Sequence, residues 1–314
     1  MATVSEEIAE GDGLFDRILA RFGSFQGVIF LLPTFVLLTF IVFYPMFFNG
    51  ILLSFKDYTL NPNVPNPWVG LENYQYWLLG AGQALFLFSI KMTIMYEFIV
   101  IPLDLLMALG AALVLNETLP ARPLWRGIML TGYAAPPVAA GLTFAFMEQA
   151  AVYGVIYQLL APIFGIPEQG GMIANSPWAF WGVIIAKVWR DFGFMYIVLL
   201  AGIQSIPREL YEIAKVDGAG PIQRFRYITL PHLRTIIVTV VMIRTVFTIG
   251  KIDIPWAITK GGPINQTTFW GVLVFKKAFI QRAMGQAAVI GILLALTVIP
   301  LILVWVRSET GDSS

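Results

Sequence analysis

Cysteine is absent from this 314-residue chain, and His232 is its only histidine. These two absences exclude disulfides, zinc sites built on Cys or His, and Ser/His or Cys/His nucleophilic catalysis. Charge is scarce too. Only 12% of residues are Asp, Glu, Lys or Arg, with 20 Lys+Arg against 19 Asp+Glu, so no nucleic-acid partner is indicated. There is no G-x-x-x-x-G-K-[ST] phosphate loop, so the chain cannot be a nucleotidase of that type. No catalytic group and no metal site is expected. The first 26 residues lack the basic start of a signal peptide and instead carry Glu6, Glu7, Glu10, Asp12 and Asp16, which reads as a solvated tail.

What the chain has in abundance is apolar sequence. Hydrophobic residues make up 58% of it, and its mean hydropathy is +0.76. Several uncharged runs approach the roughly 20 residues needed to cross a hydrocarbon core about 30 Å thick. The reading is an all-α polytopic membrane protein with six transmembrane helices, at about 27–53, 84–113, 127–147, 178–203, 233–257 and 286–306. Tails at 1–26 and 307–314 flank a transmembrane domain over 27–306. "NPNVPNPW", Asn61 to Trp68, is punctuated by proline and reads as an extended external loop. Pro136 and Pro137 interrupt the hydrogen-bond ladder of the third span and predict a kink there. Ala150 to Phe164 is apolar but short, which suits a surface helix.

Six spans place both termini on one side, and the basic residues select which. Arg17, Arg21, Arg122, Arg126, Arg208, Lys215, Arg224, Arg226, Arg234 and Arg307 lie on the side of the termini. Lys56, Lys260, Lys276, Lys277 and Arg282 lie opposite. The bias makes both termini cytoplasmic. It also makes the segment 204–232, between spans 4 and 5, a cytoplasmic loop.

That loop holds "ELYEIAKVDGAGPIQRFRYITLPHLR", Glu209 to Arg234, the longest charged and glycine-broken stretch between two apolar spans. Its signals are those of two short helices. Pro207 suits a helix start, Glu209 a first turn and Gly218 a stop. A second helix starts at Pro221 after Gly220 and is expected to stop before Pro231. Ile222 and Phe225, three apart, form an apolar knob with Arg224 and Arg226 beside it. Two readings stand at this point: a helix that docks into a partner's groove, or a rigid loop anchored to the headgroups by Arg and Phe.

The order of residues bears on that choice. "EIAKVDGAGPIQRFRYITLP" resembles the EAA loop of the permease subunits of binding-protein-dependent ABC importers. That pattern is Glu-Ala-Ala, three residues, Gly, nine residues, then Ile-x-Leu-Pro. Glu212, Ala214, Gly218, Ile228, Leu230 and Pro231 fall on it at matching spacing, with Asp217 and Ala219 completing Asp-Gly-Ala. Ile213 replaces the usual second-position alanine. The flanking "LAGIQSIPRELYE", the "YAAPPVAAG" of span 3 and the "GQAAVIGILLALTVIPLILVWVR" of span 6 look like the sugar-type branch of the same family.

The resemblance implies a permease of the bacterial inner membrane, moving a sugar, polyol or related solute. Its partners would be a second permease, more often a homologue than a copy, an ABC ATPase dimer, and an extracytoplasmic solute-binding protein. ATP and Mg are bound by the ATPase, and no cofactor is implied for this chain. Glu212, Ala214, Asp217, Gly218, Ala219, Phe225 and Pro231 would form the coupling contact. Sugar sites combine aromatic faces with a few polar groups, so Tyr133, Phe247, Asp253 and Trp256 are pathway candidates, against packing or interfacial anchoring for each.

The intramembrane charges are read from the residues alone. Lys91, Glu97 and Asp104 in span 2 should face protein or water, with Glu97 and Asp104, seven apart, on one face. Lys187, Arg190 and Asp191 in span 4 are expected to face the partner subunit or a watery cavity. Arg244 or Lys251 would pair with Asp253 or Glu97. The rival from another class is an ion-coupled secondary transporter using Glu97, Asp104, Lys251 and Asp253, which would transport alone and give no reason for the 209–231 spacing. His232 reads as a polar residue at the interface.

Overall fold

The structure is a computed structural model that describes residues 26–311, apart from 62 and 118. The N-terminal tail and residues 312–314 lie outside the described residues. A first helix, α1 (Gln26–Leu37), widens into a π-helical stretch (Leu38–Asn49) and closes with Gly50–Ser54. It is followed by α2 (Glu72–Leu78), α3 (Gln83–Asn116), α4 (Arg122–Ala134), α5 (Pro137–Met147) and α6 (Val155–Phe164). Next come the single turn α7 (Gly171–Ala174), α8 (Trp178–Gln204), α9 (Arg208–Val216) and α10 (Pro221–Arg224), which passes through a π turn (Phe225–Thr229) into α11 (Leu230–Thr248). The remainder is α12 (Asp253–Thr259), α13 (Trp270–Phe275, extended by Lys276–Ile280) and α14 (Met284–Gly311). Among the described residues the only β features are isolated bridges, Lys56 with Trp68 and Thr59 with Ala283.

The core is organised on α8. Its Phe180, Val183, Ile184 and Val188 pack against Met92, Tyr96 and Val100 of α3, Phe144 of α5, Ile254 of α12 and Phe269 before α13. One end lower, Met195, Tyr196 and Leu199 of α8 meet Ala108, Ala112 and Leu115 of α3 and Leu233 and Val240 of α11. A third cluster joins Trp77, Phe86, Trp270, Leu273, Val289 and Ile290. Lipid tails are as apolar as leucine, so helices in a membrane associate through close packing, which small residues permit. Ala108 and Ala112 are one turn apart on α3 and fully buried. A Cβ at Gly132 would land on the backbone carbonyl of Trp189, and one at Gly193 would come within 2.9 Å of the Tyr133 Cβ. Gly132 and Gly193 therefore set how closely α4 crosses α8. Gly132→Val, colliding with backbone rather than a pliable side chain, is expected to cost about 1–3 kcal/mol, read as a lowered melting temperature in detergent. An unchanged melt would show that this crossing is not tight.

Three expectations are corrected here. The kink at Pro136 and Pro137 is a full bend, with α4 and α5 meeting at 93°, because two consecutive prolines remove two donors and force Ala135 into an extended conformation (ψ 135°). The fifth span does not run to 257: α11 ends at Thr248, and α12 is a separate short helix after the break at 249–252. The second loop helix does not stop before Pro231 but continues as one helix over Pro221–Thr248. The π turn at Phe225–Thr229 widens the backbone where the Pro231 ring would otherwise strike the preceding turn. The ring of His232 then takes up the Ile228 carbonyl, Nδ1 to O 2.7 Å. The helices at 26–54, 83–116, 178–204 and 284–311 fall close to the bounds read from hydropathy.

Among the described residues, two helices, Gln83–Asn116 and Pro221–Thr248, are long and apolar enough to cross a membrane, and the bent pair would be a third if it counts as one span. α8 is long enough, but Lys187, Arg190 and Asp191 sit at its centre.

Candidate functional site

The loop between α8 and α11 is a closed helical hairpin. Glu209 occupies the first turn of α9 and Lys215 the last, the placement the helix dipole favours. α9 ends on a backbone motif. Ala219 N–H donates to Ala214 O (2.8 Å) and Gly218 N–H to Lys215 O (3.1 Å), with Gly218 left-handed at φ +80°. This is the Schellman arrangement, and it gives Gly218 a physical reason: a side chain there has open space but a disfavoured backbone. Gly220 N–H then donates to Gln223 Oε1 (2.8 Å) and Arg224 N–H to Gly220 O (3.0 Å), starting α10 at Pro221. The hydroxyls of Tyr211 and Thr229, 2.9 Å apart, fasten α9 to the π turn.

This hairpin leaves apolar side chains uncovered. No residue of α9 is buried. Leu210, Ile213 and Val216, three apart, share one stripe and are 37%, 60% and 88% exposed, while Ile222 is 81% and Tyr227 71% exposed. Phe225 is half-buried, so the expected knob of Ile222 with Phe225 is divided between an outward isoleucine and an inward-leaning phenylalanine. Ile213, in place of the usual alanine, faces out and not into the hairpin. Glu212, Asp217 and Gly218 are exposed, Ala214 and Ala219 half-buried, and Pro231 lies where α11 begins. Val216 and Tyr227 were not singled out from sequence, and Ile213 only as a departure from the usual alanine. The three-residue spacing of Leu210, Ile213 and Val216 is the signal that would have found the stripe.

Above the hairpin, α11 carries Arg244 into a buried charge cluster. One Arg244 Nη2 donates to Asp104 Oδ2 (2.8 Å) and to Asp191 Oδ2 (2.9 Å). Lys187 Nζ lies 2.6 Å from the same Asp191 oxygen, and Arg190 Nη1 2.5 Å from its Oδ1. Asp104 and Asp191 have no exposed surface, and Lys187 and Arg244 are nearly as buried. Lys187 and Asp191 therefore turn into this chain's own core, correcting the expectation that they face a partner subunit or a watery cavity. Arg244 pairs with Asp104 and Asp191, not with Asp253 or Glu97. Charge pairing across three helices offsets the cost of placing these groups in a low-dielectric interior. Glu97 is buried beside them with neither carboxylate oxygen hydrogen-bonded, whereas Lys91 is exposed on this chain.

The four pathway candidates are not brought together. Tyr133 lies under the Arg190 guanidinium, 5.3 Å from its ring centre. Trp256 packs on Phe275 at 4.8 Å. Asp253 accepts from the Ile254 N–H at the start of α12 (2.9 Å), and Phe247 is 64% exposed. Among the described residues no group of three or more His, Cys, Asp or Glu is placed to hold a metal.

The family model for "binding-protein-dependent transport system inner membrane component" matches residues 104–309. The chain belongs to this family. The permease is 35% identical over 279 residues to the sulfoquinovosyl glycerol transport system permease protein SmoG of Agrobacterium fabrum, covering 87% of this chain and 85% of that one. It is 32% identical over 249 residues to the trehalose/maltose transport system permease protein MalF of Thermococcus litoralis, covering 79% and 82%. Its fold is that of a chain in a bacterial ABC transporter involved in import of the acidic polysaccharide alginate, with TM-score 0.74, 22% identity, and 96% and 99% coverage.

Proposed function

We propose that this permease is one half of the transmembrane pathway of an ABC importer for a sugar, polyol or related solute. The observation that carries the reading is the hairpin at 204–232. A Schellman-closed turn at the EAA spacing holds an exposed apolar stripe outside the apolar helices, as a docking element must. The stripe is the contact for a separate ABC ATPase, which binds ATP and Mg, with Glu212, Ala214, Asp217, Gly218, Ala219, Phe225 and Pro231 forming and orienting it. A second permease, a homologue, completes the pathway, and an extracytoplasmic binding protein delivers the solute. Supporting this, one solved relative of the same fold is an alginate ABC transporter in complex with a pentasaccharide-bound periplasmic protein. The names of the curated relatives, sulfoquinovosyl glycerol, trehalose/maltose and sn-glycerol-3-phosphate among them, support the solute class.

In this reading the chain makes six crossings of the bacterial inner membrane, with both termini and the loop cytoplasmic, at the bounds given by hydropathy except for the fifth, whose helix ends at Thr248. α8 crosses despite its central charges because Asp104 and Arg244 neutralise them from neighbouring helices. Tyr133, Phe247, Asp253 and Trp256 remain the proposed pathway residues. The test is reconstitution with the partner subunits in proteoliposomes. Solute uptake is expected to need ATP inside and to survive collapse of the proton and sodium gradients. Uptake by this chain alone, driven by a gradient, would overturn the reading in favour of a secondary transporter.

A further inference from the structure

Behind the docking stripe, the hairpin borders a half-open cavity of about 1030 Å³ against the ends of α3, α4 and α8. α9 turns Arg208, Tyr211, Glu212 and Lys215 toward it, the i, i+3, i+4, i+7 face. Arg122, Arg126 and Arg224 line it from the other sides, so five cations meet two carboxylates, Glu117 and Glu212. None of the five cations forms an ion pair among the described residues, where every ion pair belongs to the core cluster. Arg122 is partly committed, its Nε donating to Leu115 O (2.7 Å) and Nη2 to Asn116 O (3.0 Å). Arg126 is not: its Nε and Nη2, and Nε of Arg224, are buried with no hydrogen-bond acceptor.

A buried guanidinium N–H without an acceptor is costly, and here two such groups face one polar space whose lining carries excess positive charge. Such a lining is complementary to an anion. Guanidinium forks match the oxygens of a phosphate group, which can accept from several donors at once. Leu113, Ile203, Ile206 and Phe225 add an apolar wall beside the cations, suited to an amphiphile. We propose that this cavity binds a phosphate-bearing anion, held by Arg126 and Arg224 with Arg208 and Lys215 closing over it. Glu212, Ile222 and Phe225 belong both to this lining and to the docking surface, whereas Ile213 and Val216 lie outside the lining, so the cavity borders the docking contact without coinciding with it. A phospholipid headgroup and a soluble phosphate compound share this chemistry. Headgroup depth rests on the membrane orientation proposed above, whereas the anion chemistry does not.

The experiment has two arms, both on the full chain in its complex and on an Arg126→Gln/Arg224→Gln variant. In the first, complexes from nanodiscs of equal phosphatidylglycerol and phosphatidylcholine are released in native mass spectrometry and the retained lipid is counted. In the second, delipidated complex in detergent is titrated with inorganic phosphate. Loss of two charge-assisted donors is expected to reduce retention or affinity by about ten- to hundredfold. Phosphatidylglycerol retained by the wild type and lost in the variant identifies a lipid. A phosphate affinity that falls in the variant without lipid retention identifies a soluble ligand. Equal behaviour of wild type and variant in both arms overturns the proposal. If the double variant aggregates, the exposed Lys215→Gln is read instead, with a loss of about tenfold expected and no change counting against the site. The phosphate arm needs no membrane, so a failed orientation and a failed anion site give different results.

Discussion

Arg244→Met is expected to lose about 3–5 kcal/mol of stability, enough to prevent accumulation of the folded permease or lower its melting temperature sharply. Removing the guanidinium leaves Asp104 with no cation, in a site without exposed surface. Asp191 is less affected, because Lys187 and Arg190 still hold it. The cost therefore resides mainly in Asp104, and the double change Arg244→Met/Asp104→Leu should recover much of it, since buried ion pairs are often replaceable by apolar groups of similar volume at little cost. Melting of the single and double variants in detergent, beside Asp104→Leu alone, gives the coupling between the two residues. A single variant that melts like the wild type would show that the cluster does not bind α3 to α11. The cluster also bears on mechanism. Phe225 and Arg244 lie on the unbroken helix Pro221–Thr248, so a displacement at the hairpin is carried about 28 Å, at 1.5 Å per residue, to the charges that tie three helices together.

Much of this arrangement was legible in the residues. The helices from Gln83, Trp178 and Met284 follow from long, mostly apolar runs, and the α9 to α10 hairpin from Pro207, Gly218, Gly220 and Pro221, because caps and breakers act locally. What was missed depends on partners distant in sequence. Nothing near Asp191 indicates that Arg244, 53 residues on, will meet it, so its direction was misjudged. Likewise α13, Trp270–Phe275, lay hidden in a presumed loop: its apolar run is too short to signal a span, and it is held by Thr93, whose hydroxyl accepts from Trp270 N–H at 2.8 Å across 177 residues. Pro231 misled for the opposite reason. A local rule was applied where one wider turn of backbone removes the conflict. The EAA pattern identified the hairpin, but the outward stripe of Leu210, Ile213 and Val216 emerged only when burial separated the two faces of α9.

Val216→Asp combined with Ile222→Glu is expected to abolish solute-stimulated ATP hydrolysis by the assembled importer while leaving this chain folded. Both side chains are more than 80% exposed, so the substitutions remove no packing within the chain and surface changes of this kind cost little stability. At a docked interface the same positions would be central and desolvated. A carboxylate there loses the apolar contact and must shed its water without a partner. A loss of about 2 kcal/mol or more, roughly thirtyfold in affinity, is expected, read as failure of the ATPase to co-purify or as lost stimulation in a complex that still forms. Gly218→Val tests the same surface by geometry alone. Open space surrounds the position, so the only penalty is a β-branched residue at φ +80°, about 1–2 kcal/mol. The chain can relieve it by unwinding the Schellman turn, which swings α9 and its stripe away from Ile222. Coupling should therefore fall in Gly218→Val with binding only partly reduced, whereas the charged pair should lose both. If importers assembled with either variant hydrolyse ATP as the wild-type importer does, the ATPase docks elsewhere and the exposed stripe needs another partner.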